Sequence, residues 1–329
     1  MENQEFKAFV VEEIDGEFKR SIKTKQIKDL PEGDLIVKVE YSSLNYKDAL
    51  SATGNKGVTR QFPHTPGIDA VGIVAQSDNS EFQVGEQVIV TSYDLGMNTD
   101  GGFAEYIRVP SAWAVKLPEN MTAQEAMIYG TAGFTAGMSV LRLAQLVTPE
   151  AGNILVSGAT GGVGSLSVAI LAKLGYNVIA ITGKETEQEY LKNLGAKEVI
   201  LRKEFEELPA KPLLKPMCAG AIDTVGGTIL QNILKVAAPM AAVTCCGNAA
   251  SIKLETTVFP FILRGVSLIG IDSQNYPMEY RKIVWQKLAT EYKSDKLVEN
   301  YQEVGLEELD EKINHILKGQ VKGRILVKL

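Results

Sequence analysis

The chain has 329 residues, 45% of them apolar and 22% charged, a balance that builds a globular core and leaves length for two ordinary domains. Its formal net charge of −6 argues against a broad nucleic-acid-binding or anionic-membrane surface, and the acidic N-terminus, MENQEFKAFVVEEIDG, does not read as a secretory leader. Three cysteines, Cys218, Cys245 and Cys246, and two histidines, His64 and His315, argue against a disulfide scaffold and supply no ready set of metal ligands, so a metal-free, cytoplasmic protein is expected.

Up to about residue 120 the pattern is one of strands and loops. Ile36 to Tyr41 alternates Val37, Val39 and Tyr41 with Lys38 and Glu40, and similar runs occur at Ala70 to Ala75 and Gln87 to Thr91, punctuated by glycine and proline. Tyr46 to Ala52 is the single short helix expected here, so the region reads as a small irregular barrel. Two polar clusters stand out: Ser42-Ser43-Leu44-Asn45-Tyr46-Lys47-Asp48 and Pro66-Gly67-Ile68-Asp69. His64, between Pro63 and Pro66, reads as a loop residue, because nothing nearby in sequence would orient it.

At Thr122 the pattern changes. Thr122-Ala123-Gln124-Glu125 is a capping box that starts a long helix through MIYGTAGFTAGMSVLRLAQL. Thereafter strands, expected at 153–157, 177–181, 198–201, 220–223, 240–245 and 266–271, alternate with helices as in a doubly wound parallel sheet. The first strand runs into Ala159-Thr160-Gly161-Gly162-Val163-Gly164, a glycine fingerprint with alanine at its first position. Ala159 is expected to allow the tight turn, Gly161 to bring backbone close to a pyrophosphate, and Gly164 to let the helix pack on the strand. Val163, Leu166, Ile170 and Leu174 carry that helix, which Lys173 makes unsuitable for spanning a bilayer, and Gly175 stops it.

The end of the second of these strands discriminates between nicotinamide cofactors, because an acid there bonds a ribose hydroxyl and repels a 2′-phosphate. This chain has Thr182-Gly183-Lys184, with Glu185 held outside a helix expected to begin at the capping box Thr186-Glu187-Gln188-Glu189. Lys184 and Arg202 are therefore candidates to clamp a phosphate, and NADPH is expected over NADH. Cys245 and Cys246 end a buried strand and read as small apolar residues. The tail is helical at Tyr280 to Tyr292 and Leu306 to Leu317, ends in a strand from Arg324, and is expected to return to the first domain. His315 reads as a surface residue, and Trp113 and Trp285 as packing at domain edges.

The ordered set SSLNYKDAL, PGIDAVG, VGEQVIV, GGFAEY, GTAGFTA, GATGGVG and GRILVKL resembles the zinc-independent quinone oxidoreductase branch of the medium-chain dehydrogenase/reductase superfamily over essentially the whole chain. NYKDAL, GTAGFTA, AIDTVGG and PFILRGVSLIGIDS are similar to the YhdH/YhfP type, whose best-described members are NADPH-dependent acrylyl-CoA reductases. The resemblance implies an α/β architecture: a discontinuous GroES-like catalytic domain over 1–121 and 273–329, a Rossmann domain over 122–272, and a homodimer. Where zinc-dependent relatives have a cysteine ligand this chain has Asn45, and where they have a histidine-glutamate pair it has Ile68-Asp69. Carried onto this sequence, the family pattern implies Tyr46 and Thr131 to Thr135 beside the nicotinamide, and Thr160, Gly161, Gly162 and Val163 on the pyrophosphate. It implies Thr182, Gly183, Lys184 and Arg202 around the adenosine phosphate, with further contacts from Asn248, Ile262 and Ser273.

The reaction implied is hydride transfer to the β-carbon of an enoyl thioester such as acrylyl-CoA, which leaves negative charge on the carbonyl oxygen. Asn45, Tyr46 or backbone N–H groups are the candidate stabilisers. Asp69 reads either as a residue that orients Asn45 or Tyr46 or relays the proton, or as a turn cap before the following strand. Two other readings stand beside this one: an NADPH:quinone or enone reductase of detoxification type, and an NADPH-binding or redox-sensing protein without turnover.

Overall fold

In the computed structural model, which describes residues 1–297 and 300–329, the chain's contacts divide it into two units. Unit 1 takes in Met1–Thr131, Gln274–Trp285 and Asn300–Leu329, and unit 2 takes in Ala132–Ser273 and Gln286–Glu299. The divisions expected at 121/122 and 272/273 stand beside contact boundaries at 131/132 and 273/274, and the helix expected to open the second domain begins in unit 1.

Unit 1 begins with a hairpin absent from the sequence-based expectations. Glu5–Ile14 and Glu17–Gln26 pair antiparallel about Asp15-Gly16, both with positive φ, which is the Asp-Gly chemistry of a two-residue hairpin turn. A seven-stranded sheet follows, in the order Tyr301–Val304, Arg324–Lys328, Leu35–Leu44, Asp69–Ser77, Gln87–Thr91, Ala114–Lys116, with Tyr106–Val109 paired to the start of Leu35–Leu44. Leu35, Val37 and Val39 pack with Val74, Val88 and Ile107 in one core, while Ile36, one residue out of phase, packs with Phe6 and Val10 of the hairpin in another. The tail strand runs antiparallel to the end of Leu35–Leu44, pairing Ile325 with Leu44, which brings Arg324 to the Asn45 turn.

Unit 2 holds a six-stranded parallel sheet in the order Glu198–Leu201, Asn177–Thr182, Asn153–Ser157, Cys218–Asp223, Ala237–Cys245, Ser267–Gly270. The order reverses between Asn153–Ser157 and Cys218–Asp223, the switch point beside which doubly wound sheets bind ligands. Its strands read as near-continuous apolar runs because helices cover both faces. Leu155, Ile179, Ile181 and Val243 pack with Ile229 and Ile233 of the helix Gly227–Val236.

Several expectations are corrected. Thr122 and Glu125 do form the reciprocal capping bonds, but Ala123–Ala144 is not one uniform helix: Gly130 takes φ +50 and ψ −155 and kinks it. The box at Thr186 does not form, because Glu185–Glu187 makes a 3-10 turn and the helix Gln188–Leu194 starts after Glu187 with no side-chain cap. Two readings hold: Trp285 is fully buried, as a packing residue is, and the side chain of His315 is 42% exposed beside Glu311, as a surface residue is.

Candidate active site

In unit 2 the strand Asn153–Ser157 ends in Gly158, whose φ of +59 makes the turn. The turn residue is thus Gly158 and not Ala159, which is buried behind it with its N–H on Ile181 O at 3.1 Å. The helix Gly162–Lys173 follows with Gly161 at its cap, leaving first-turn N–H groups and the positive end of the helix dipole for an anion. Gly164 seats this helix on the turn: a Cβ there would stand 2.2 Å from Gly158 O. Thr182 ends the next strand, with Thr160 Oγ1 3.4 Å from its hydroxyl and the Lys184 N–H donating to it at 3.0 Å.

Beyond it the Arg202 guanidinium lies over Gly183, where a Cβ would contact Arg202 Cζ at 3.4 Å. No carboxylate pairs with Arg202 among the described residues, and Glu185 faces solvent. A glycine cradle at a helix N-terminus followed by a cation beside a glycine fits a dinucleotide that carries an extra phosphate.

Asp223, which no sequence signal singled out inside AIDTVGG, ties the two strands at the switch point. Ser157 Oγ donates to its Oδ1 at 2.7 Å and Gly226 N to its Oδ2 at 2.8 Å, and burial pushes its carboxyl pKa up. A cavity of about 750 Å³ opens at this end of the sheet, lined by Gly226, Leu230, Cys246, Asn248, Leu254 and Ile271. Burial pushes the Cys246 thiol up to about 12 and raises Cys245 as well, so both stay protonated at neutral pH. Thr135 is buried, Ser273 half-buried, and Ile262 is 68% exposed.

In unit 1 the two polar clusters meet. Asp69 is fully buried and accepts from Asn45 Nδ2 at 2.7 Å, Ser43 Oγ at 2.7 Å, Thr131 Oγ1 at 2.6 Å and Thr131 N at 2.9 Å. Of the two roles read from sequence, orientation of Asn45 is the one the geometry supports. The second amide hydrogen of Asn45 goes to Ser43 O at 3.2 Å, and its oxygen accepts from Arg324 Nη1 at 3.3 Å. Both N–H groups are therefore committed to partners inside the protein, which leaves Asn45 less suited than Tyr46 to donate to a substrate oxygen. Thr131 likewise points its hydroxyl at Asp69, with Ser92 Oγ 2.9 Å away.

Asp48, the last residue of the first cluster and one given no role there, caps the Asn45 turn and the Gly67-Ile68 turn together. It accepts from Asn45 N at 2.7 Å, Ile68 N at 2.8 Å and Gly67 N at 3.2 Å, and burial, with Asp69 nearby, raises its pKa to about 7. Tyr46 follows as the first residue of the helix Tyr46–Ala52 and is 52% exposed. Gly130 kinks its helix over the same cluster, where a Cβ would stand 2.5 Å from both Asp69 Oδ2 and Ser43 Oγ. The small size of this glycine accommodates the buried polar cluster.

His64 is buried, with Nε2 2.9 Å from Gly96 O and Nδ1 3.8 Å from Asp100 Oδ1, so it is oriented, contrary to expectation. Burial lowers its pKa and keeps it neutral. Among the described residues no three His, Cys, Asp or Glu side chains gather to hold a metal ion.

Two family descriptions match the chain: Alcohol dehydrogenase GroES-like domain over residues 31–119 and Zinc-binding dehydrogenase over residues 162–290. Acrylyl-CoA reductase AcuI of Ruegeria pomeroyi is 41% identical over 325 residues, covering 98% of each chain. The crystal structure of the yhdH oxidoreductase from Salmonella enterica in complex with NADP matches with a TM-score of 0.96 at 42% identity, over 98% of this chain and 99% of that one. Bacillus subtilis protein yhfP with NAD bound matches with a TM-score of 0.97 at 43% identity, over 99% and 100%.

Proposed function

Because the chain belongs to the quinone oxidoreductase and acrylyl-CoA reductase group of the medium-chain dehydrogenase/reductase superfamily, we propose that it reduces the activated double bond of acrylyl-CoA or a similar short enoyl thioester. It is an NADPH-dependent oxidoreductase. The choice of a thioester is supported by full-length similarity to AcuI.

Bound NADPH supplies the hydride. In this reading the glycine turn at Gly161, Gly162 and Val163 holds the pyrophosphate, Arg202 takes the 2′-phosphate over Gly183, and Thr160, Thr182, Lys184, Thr135, Asn248 and Ser273 complete the cofactor lining. The observation that carries the chemistry is the contrast between neighbours in unit 1. Asn45 spends its amide on Asp69 and Ser43, whereas Tyr46 leaves a phenol accessible, and negative charge developing on the acceptor's carbonyl oxygen needs such a donor. Tyr46 is thus assigned as the acceptor-side donor, with Asn45, Asp69 and Thr131 as its frame.

A homodimer is part of the proposal. Ser267–Gly270 ends the unit 2 sheet, and Met240, Ile252, Val258, Ile262 and Leu263 are all at least 60% exposed on the same unit, apolar surface suited to a second copy of the chain. Ile262 is better explained by this surface than by a cofactor contact, and light scattering would test it. A cytoplasmic location is supported by three free thiols, and no helix among the described residues is long and apolar enough to cross a membrane.

The deciding experiment follows NADPH oxidation with acrylyl-CoA, benzoquinone and a simple enone at matched concentrations. The largest kcat/KM is expected for acrylyl-CoA. An inert thioester beside a reactive quinone or enone would replace this substrate assignment with the detoxification reading.

A further inference from the structure

We propose that Arg324, which lies in the motif GRILVKL with no role read from the sequence, is a positioning residue that sets turnover through the Asn45 carboxamide. It opens the strand Arg324–Lys328, is 3% exposed, and directs its guanidinium into unit 1. Nε donates to Ile128 O at 3.0 Å, Nη1 to Leu44 O and Asn45 Oδ1 at 3.3 Å each, and Nη2 to Ser43 Oγ at 2.8 Å, with Asp69 Oδ2 3.9 Å away.

These bonds close a ring. Arg324 donates to Ser43 and to Asn45, and Ser43 and Asn45 both donate to Asp69 Oδ2 at 2.7 Å. Turning the Asn45 amide over would set its NH2 against the guanidinium N–H and its oxygen against the Asp69 carboxyl. Both new contacts are repulsive, so the ring admits one orientation. Asn45 is also the N-cap residue of Tyr46–Ala52: its N–H donates to Asp48, and its carbonyl accepts from Asp48 N at 3.1 Å and Ala49 N at 3.3 Å. Fixing the amide therefore fixes the backbone from which Tyr46 projects.

A counter-charge for Asp69 alone would not need this geometry. An ammonium supplies the charge, but it is a point donor that lacks the planar fork spanning Ser43 and Asn45. Lysine at this position separates the two roles.

The inference rests on the reading of unit 1 as the acceptor side, and it is tested by a double-mutant cycle of Arg324→Lys and Asn45→Ala on the full chain. Turnover is measured with the best acceptor from the NADPH assay, below the lowest melting temperature, alongside NADPH Kd by fluorescence. Each single variant is expected to lower kcat by about 10- to 100-fold with NADPH Kd within about twofold of wild type. The double variant is expected within about threefold of the worse single, because both act through one amide.

Multiplying effects would overturn the proposal. So would a kcat loss no larger than that of Ile107→Ala, a buried residue on another strand of unit 1, at matched loss of melting temperature. If Arg324→Lys does not fold, Ser43→Ala opens the same ring at its hydroxyl and takes its place in the cycle. Tyr46→Phe is run beside these. Unchanged turnover there removes the phenol from the chemistry, while the coupling between Arg324 and Asn45 is still read from the cycle.

Discussion

Asn45 Nδ2 lies 2.7 Å from Asp69 Oδ2, and this bond separates two adjacent polar residues, one turned inward and one left exposed. The amide is turned into the protein and the tyrosine that follows is left outside it. The first consequence concerns Tyr46.

Tyr46→Phe removes one hydroxyl from a half-exposed ring and leaves the capping bonds of its helix untouched. Turnover should fall on the order of 100-fold, the range for loss of a positioned proton donor, with NADPH Kd unchanged. Steady-state kinetics with a fluorescence titration of NADPH checks both halves, and wild-type turnover would take Tyr46 out of the mechanism.

Gly130 should tolerate no side chain. Its φ of +50 already disfavours one, and a Cβ would also press on Asp69, Ser43 and Arg324. Gly130→Ala is expected to cost more than about 3 kcal/mol in chemical denaturation. Gly175→Ala, at φ +85 with open space around it, should cost only about 1 kcal/mol. Equal costs would show that the crowding over the buried cluster carries no energy.

Arg202→Gln should weaken NADPH binding by roughly 10- to 100-fold and leave NADH binding within about threefold, since only the former carries the phosphate that the guanidinium is placed to meet. Parallel titrations of both cofactors measure this. An equal loss for the two would assign Arg202 to the fold of unit 2.

His64 provides a pH dependence. Its folded pKa is lowered by burial, so below about 6.5 the unfolded chain binds a proton that the native one refuses. The sign follows: this contribution to stability is full above the unfolded pKa and is lost as pH falls toward the folded value. Between pH 7.5 and about 5.5 the wild type should lose more stability than His64→Gln, measured by urea midpoints. Parallel pH slopes would mean that His64 protonates equally in both states.

Local order of residues was enough to determine the strands of unit 2, because a parallel sheet covered on both faces writes its strands as apolar runs and its turn as glycines. That Thr182-Gly183-Lys184 and Arg202 come together was legible for the same reason: they follow the ends of neighbouring parallel strands, so position along the chain is position in space. The Asp15-Gly16 hairpin has a local signal as well, an Asp-Gly pair of the kind that two-residue turns require.

The unit 1 cluster was not legible in this way. Ser43, Asn45, Asp69, Gly130 and Arg324 meet only after an antiparallel sheet brings a C-terminal strand back to Leu35–Leu44 and a helix kinks above it. Periodicity identifies a buried face but does not say which distant polar groups satisfy one another there. The family motifs singled out Asn45, Tyr46 and Asp69 as a set. Only the tertiary structure decided that Asn45 faces Asp69 and Arg324 while Tyr46 faces solvent, because that choice is made by hydrogen bonds that close between segments 24 and 279 residues apart.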